Sequence, residues 1–145
     1  MSEPNVQILL TWHDAHRKPE YLQYDVALYA IVHPNREDIL YIGKADGSTV
    51  AGRRNAEDKD ERVWRRIEEE LGLYRSGFIV GEFPLIKGQR LTRQLVCDVE
   101  SLLIHQVKPW ANTSNVKSRG SYSRPGMVVR CQGYWPLGSK TFRDS

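Results

Sequence analysis

Glu100 is the residue whose placement most invites chemistry. It sits in the longest periodic segment of the chain, TRQLVCDVESLLIHQV. At roughly 100° per residue from Leu95, the residues Leu91, Leu102, Val99, Leu103, Val96 and Val107 fill one arc. Glu100 falls at roughly 140°, between Val107 and Ile104, so a carboxylate is set into an apolar border. An ionised carboxylate in such a place needs a partner. An arginine would serve, as would a hard divalent cation such as Mg²⁺. A second feature is the tail, which mixes Lys108, Trp110, Lys117, Arg119, Tyr122, Arg124, Arg130, Tyr134 and Trp135. Basic side chains neutralise phosphates and aromatic rings stack on unpaired bases. The stretch SRGSYSR, with Arg119 and Arg124, is the substrate-binding candidate here. The other reading has the aromatics covering the core while the cations stay wet.

The elements that must position these residues follow from pattern. VALYAIV (26–32) and ILYIG (39–43), joined by the turn-rich HPNRED, read as an antiparallel hairpin. Ser48 or Thr49 can cap a short helix through Arg53 and Arg54. ERVWRRIEEEL (61–71) repeats Val63, Trp64, Ile67 and Leu71 on one helical face and stops near Gly72. GFIVGEF (77–83) reads as a third strand. Thr92 opens the long helix and Pro109 ends it. QILLTW (7–12) is a short strand or a packing arm, followed by a loop. The C-terminal part is loop-rich, with one strand expected at GMVVRC. The order implies an α/β fold with a small, mainly antiparallel three-stranded sheet flanked by helices. One domain, 1–145, is expected, with a core at about 26–115, an N-terminal arm 1–25 and a basic, aromatic extension 116–145.

Net charge is +3, but residues 108–145 carry seven Lys/Arg against one Asp/Glu. That asymmetry suits a polyanionic partner or a solvated tail. Cys97 and Cys131 make no disulfide framework in a chain of this length. The start MSEPNVQILLTWHDAH lacks the features of a signal peptide. No apolar run approaches a membrane span. The cytoplasm is the expected compartment. His13, His16, His33 and His105 show no convincing zinc spacing.

Taken in order, the hairpin reads Ala27-Leu28-Tyr29, then Tyr41-Ile42-Gly43-Lys44. Arg53 follows, Glu100 lies on the long helix, and Asn112 stands twelve residues later, just past Pro109. Over about residues 26–115 this resembles the GIY-YIG nuclease family. The family pairs a G-I-Y-like strand with a Y-I-G strand, then carries an Arg, a Glu and an Asn in that order. Here the first motif is A-L-Y. Glu57 stands where some members carry a His. Arg54 directly follows Arg53, so either can fill the Arg position.

The resemblance implies a divalent-metal-dependent endonuclease that hydrolyses phosphodiester bonds, with DNA the expected substrate and RNA the second. Glu100 would hold one Mg²⁺ or Mn²⁺. Arg53 would grip non-bridging phosphate oxygens with its planar fork. Tyr29 or Tyr41 would orient or deprotonate the attacking water, helped by a cation from Arg53, Lys44 or the metal. Asn112 would orient groups around the metal or phosphate. Lys44 and Arg54 join Arg119 and Arg124 as substrate-binding candidates. Taken singly, each residue has an ordinary role, and only their order selects the site. A nucleic-acid-binding module without cleavage, on the same fold, and a protein-interaction domain are the competing functions. No separate specificity domain is visible, so any sequence preference would come from the domain itself, an oligomer or a partner protein.

Overall fold

A computed structural model of the chain describes residues 7–15, 17, 20, 26–46, 59–73, 77–84, 92–112 and 126–143. Among them are six strands: β1 (Gln7–Asp14), β2 (Val26–Val32), β3 (Ile39–Asp46), β4 (Gly77–Glu82), β5 (Val128–Gly133) and β6 (Thr141–Arg143). Two helices accompany them, α1 (Lys59–Leu71) and α2 (Arg93–Val107). The fold class is α/β, as expected. The sheet is larger than expected: six strands in the order β3-β2-β4-β1-β5-β6. The three anticipated strands lie side by side, antiparallel, as β3-β2-β4. The sheet doubles because the N-terminal arm supplies β1, antiparallel to β4, and the C-terminal extension supplies β5, parallel to β1, and β6. Only one of those added pairings is parallel, and the two strands that make it lie more than a hundred residues apart in the chain.

β2 explains why its sequence is apolar throughout. It lies between β3 and β4, and a helix covers each face, so Ala27 through Ile31 are all buried. A strand buried on both sides needs no polar alternation. Leu28 and Ala30 pack with Ile42, Ile79 and the α2 residues Leu95, Val96, Val99, Leu102 and Leu103. Ala27, Tyr29 and Ile31 pack on the other side with Phe78, Val80 and the α1 residues Val63 and Ile67. β1 shows the two-residue period clearly, burying Ile8, Leu10 and Trp12 in the α2-side core. α2 also touches β6, so the sheet curls round it.

Local signals set the helix ends. Thr92 Oγ1 accepts from Leu95 N at 3.0 Å, an N-cap that satisfies one of the helix's free donors. At the other end Lys108 adopts a left-handed conformation (φ 53°), its N–H returns to Ile104 O, and Pro109 prevents continuation. Gly72 (φ 68°) ends α1 in the same way, donating to Glu68 O. No helix among the described residues is long and apolar enough to cross a membrane.

Candidate active site at the β3 edge

Tyr29 and Gly43 are cross-strand partners in the β2–β3 hairpin. The Tyr29 ring lies across Gly43, so that a Cβ built there would sit 2.5 Å from Tyr29 Cζ and 2.6 Å from its hydroxyl oxygen. The ring stacks on Phe78, centroids 5.5 Å apart, and stands 6.2 Å from the ring of Tyr41. Tyr29 is 1% exposed, whereas Tyr41 is half-buried and packed at the margin of the same cluster. The motif Tyr41-Ile42-Gly43 thus has a physical reading. The glycine is the space in which the first tyrosine lies, and the second tyrosine stands beside it nearer solvent.

Ile42, between them, is held from outside the sheet. β3 is an edge strand, with one side of its backbone unpaired by any other strand. The chain leaving α2 fills that side. Ala111 N donates to Leu40 O at 2.7 Å. Asn112 then uses both ends of its amide on one residue: Ile42 N donates to Asn112 Oδ1, and Asn112 Nδ2 donates to Ile42 O, each at 2.9 Å. A side chain here does the work of a neighbouring strand for Ile42, and the Leu40–Ile42 part of the edge is closed to pairing with other chains. The Pro109–Asn112 segment also crosses from one layer to the other. It leaves the α2 side, buries Ala111 in the α1-side core, and places Trp110 beneath Arg66 of α1, 4.7 Å from guanidinium carbon to ring centroid.

The structure therefore brings Tyr29, Tyr41 and Asn112 together around residues 41–43. Glu100 lies on α2, the helix of the opposite face, whose sheet contacts are mainly with β3. It is half-buried and has a polar or electrostatic partner, as its place on the apolar border requires. Lys44 pairs with Leu28 and so shares the α2 side of the sheet. Tyr29 and Tyr41 face the α1 side of the sheet, Lys44 and Glu100 belong to the α2 side, and Asn112 sits at the β3 edge between them. Arg53, Arg54, Arg119 and Arg124 lie outside the described residues, as do His16 and the helix expected after Ser48.

Among the described residues no group of three or more His, Cys, Asp or Glu converges as a metal cage. His13, expected in a loop, belongs to β1, and its Nε2 lies 3.0 Å from Glu82 Oε1. Asp98 was not among the candidates. It is fully buried on α2, and Gln94 Nε2 donates to its Oδ1 at 2.7 Å. Its signal was available: on the helical wheel it lies just outside the apolar arc on the side away from Glu100. A cleft of about 390 Å³ opens elsewhere, at the far ends of β1 and β5, between Asp14, Phe78, Tyr134 and Trp135. None of the candidate site residues lines it.

No family model, curated protein or solved structure matches this chain.

Proposed function

We propose that the chain is a divalent-metal-dependent endonuclease of GIY-YIG type acting on nucleic acid, with DNA as the expected substrate. The observation that supports it most is the packing at residues 41–43. Every member of the Tyr-Ile-Gly triplet has a defined task there, and Asn112, the last residue of the ordered motif, is clamped onto its centre. Tyr41 is the tyrosine that meets the substrate side, because Tyr29 is enclosed in the core. Tyr29 positions: it fills the space over Gly43 and sets the edge against which Tyr41 stands.

A Mg²⁺ or Mn²⁺ ion fits Glu100 on the chemistry of the donor. Glu100 is half-buried, and Mg²⁺ is usually held by one or two carboxylates with water and substrate oxygens completing its shell. When bound, the cation supplies Lewis-acid stabilisation of the phosphate and the leaving oxygen. Tyr41 orients the attacking water. Arg53 or Arg54 holds the non-bridging oxygens, as the motif order implies.

One observation favours a second reading, a nucleic-acid-binding module on the same fold without cleavage. Tyr29 and Asn112 both have complete structural duties, which they would keep without catalysis. Supercoiled plasmid and single-stranded DNA, each incubated with purified protein and Mg²⁺ or Mn²⁺, separate the two. Cleavage that requires metal and disappears in Glu100→Gln supports the nuclease. Binding without cleavage by the folded wild type, on DNA and then RNA, selects the second reading.

A further inference from the structure

α1 covers only half of its side of the sheet. It packs over β2, β3 and β4, and the same face continues across β1, β5 and β6. The register shows which side chains project there. His13 lies opposite Val80, which lies opposite Tyr29, so the odd-numbered residues of β1 share the Tyr29 face. Leu9 is beside Arg130 and Thr11 beside Gln132; Arg130 is beside Thr141, and Val128 beside Arg143. Cross-strand partners share a face, so Arg130, Gln132, Thr141 and Arg143 all stand on it. All four are exposed.

Arg130 and Arg143 are diagonal neighbours on paired strands, roughly 7–8 Å apart at Cα. Among the described residues neither guanidinium has an ion-pair or hydrogen-bond partner. Like charges set so close on adjacent strands repel, and among the described residues no acid on this face pairs with either arginine. Glu82, the nearest carboxylate by register, is engaged by His13. Cations on an edge strand often guard it against pairing with other chains. That explains Arg143 on β6 but not Arg130, because β5 is flanked by β1 and β6.

We infer that this open half-face is a phosphodiester-binding platform, with Arg130 and Arg143 each holding one backbone phosphate of a nucleic acid. The inference rests on the reading of the chain as a nucleic-acid protein and extends it to a surface. Phosphate contacts of this kind set position and carry no base information. The platform lies on the same face as Tyr41, four to five strands away. At about 4.8 Å per strand that is roughly 19–24 Å along the sheet, or about six base pairs of rise.

The test is the salt dependence of affinity, read by fluorescence anisotropy on labelled 20-residue single-stranded and duplex DNA in EDTA, where metal-dependent cleavage is silent. The Arg130→Ala/Arg143→Ala variant should bind with a log–log salt slope flatter by about 1.4 on single strands or about 1.8 on duplex. At 0.1 M salt that corresponds to a loss of roughly 25- to 60-fold. Arg130→Lys/Arg143→Lys, which keeps both charges, should retain the slope. An unchanged slope in the alanine variant overturns the platform while leaving wild-type binding, and hence the proposed function, intact. An alanine variant that self-associates with unaltered DNA affinity also overturns it, in favour of edge protection. Wild type that binds with the expected slope but never cleaves with metal present supports the platform and removes the nuclease. Wild type without affinity for either DNA overturns the platform on DNA and sends the proposed function to RNA.

Discussion

Replacing Gly43 by alanine adds one methyl group, and its effect on stability turns on a single contact. The backbone at Gly43 is ordinary strand, with no positive φ. Alanine there should therefore gain about 0.5–1 kcal/mol over glycine, since it loses less chain entropy on folding. Against that, the new Cβ would lie 2.5 Å from Tyr29 Cζ and 2.9 Å from its Cε2. Carbon atoms prefer roughly 3.5–4.0 Å, so the overlap is about 1 Å. The ring cannot swing aside freely, because it is 1% exposed and stacked on Phe78. Overpacking of this kind costs about 1–3 kcal/mol, and the net change should be destabilising. Net of the entropy gain that is up to about 2.5 kcal/mol, or up to roughly 10 °C in Tm for a domain of this size, measured by thermal or urea unfolding. The decisive comparison is a double-mutant cycle. In a Tyr29→Ala background the overlap is gone, so adding Gly43→Ala should be neutral or stabilising, giving a coupling above about 1 kcal/mol. Additive effects, or a stabilised Gly43→Ala single variant, would refute the idea that this glycine exists to seat the tyrosine.

Asn112→Asp removes the donor to Ile42 O and sets an oxygen against it, so stability should fall by about 1–3 kcal/mol in urea unfolding; a neutral result would deny the clamp its structural weight. Tyr41→Phe should abolish metal-dependent cleavage with little change in Tm. Tyr29→Ala should lower Tm by several degrees whatever happens to activity, since it empties a buried site; the reverse pattern would exchange their roles. Burial pushes the Cys131 thiol from its usual 9.0 up to about 12, with the Trp12 side chain pulling the other way. An unfolded thiol therefore ionises first, and the fold should lose stability as pH rises from 9 towards 12, by about 1.4 kcal/mol at pH 10. Comparing unfolding of wild type and Cys131→Ala at pH 8 and pH 10 isolates that loss, which should be absent from the variant.

The parts of the fold that were legible in the sequence are those with a local cause. The hairpin of β2 and β3 announces itself through two β-rich runs and a turn dense in Pro, Asn and Asp. α2 carries its own cap at Thr92 and its own stop at Pro109, and both are present. The missing half of the sheet had no such cause. β1 is one short apolar run that finds its place only by pairing with β4 and β5, the latter from the far end of the chain. β6 has three residues, of which only Phe142 is buried, and periodicity cannot register one residue. Long-range pairing of this kind has no local signature, so the strand expected at GMVVRC had no assigned place in the sheet and β6 read as loop. Asp98 was missed for a different reason. The apolar residues defined the arc on the helical wheel, and a polar residue just beyond its edge was not weighed, although Asp98 is buried there.

For the candidate site, residue order identified members but could not assign them to faces. Tyr29 and Tyr41 are equivalent as letters in strands; the difference between them comes from the hairpin. A bulge falls near Leu40, which lets both Leu40 and Tyr41 pack on the α1 side while Ile39 and Ile42 face α2. Tyr29 is central on β2 and is enclosed, whereas Tyr41 is on the edge strand and is not. The edge is also where the two faces can be reached by one substrate, because among the described residues no further strand separates the Tyr41 side from the Lys44 and Glu100 side. A candidate set divided between two faces is coherent only at such an edge. In the middle of the sheet the same residues would be separated by the full thickness of the backbone layer. Asn112 belongs to that geometry in a way its place in the motif did not announce. By bonding Ile42 through its side chain rather than through another length of strand, it satisfies the edge while leaving β3 as the last strand. A continued ladder there would bury Tyr41 as Tyr29 is buried and close the route between the faces. The clamp thus ties stability and access together: the residue that stabilises the edge is also the one that keeps it an edge.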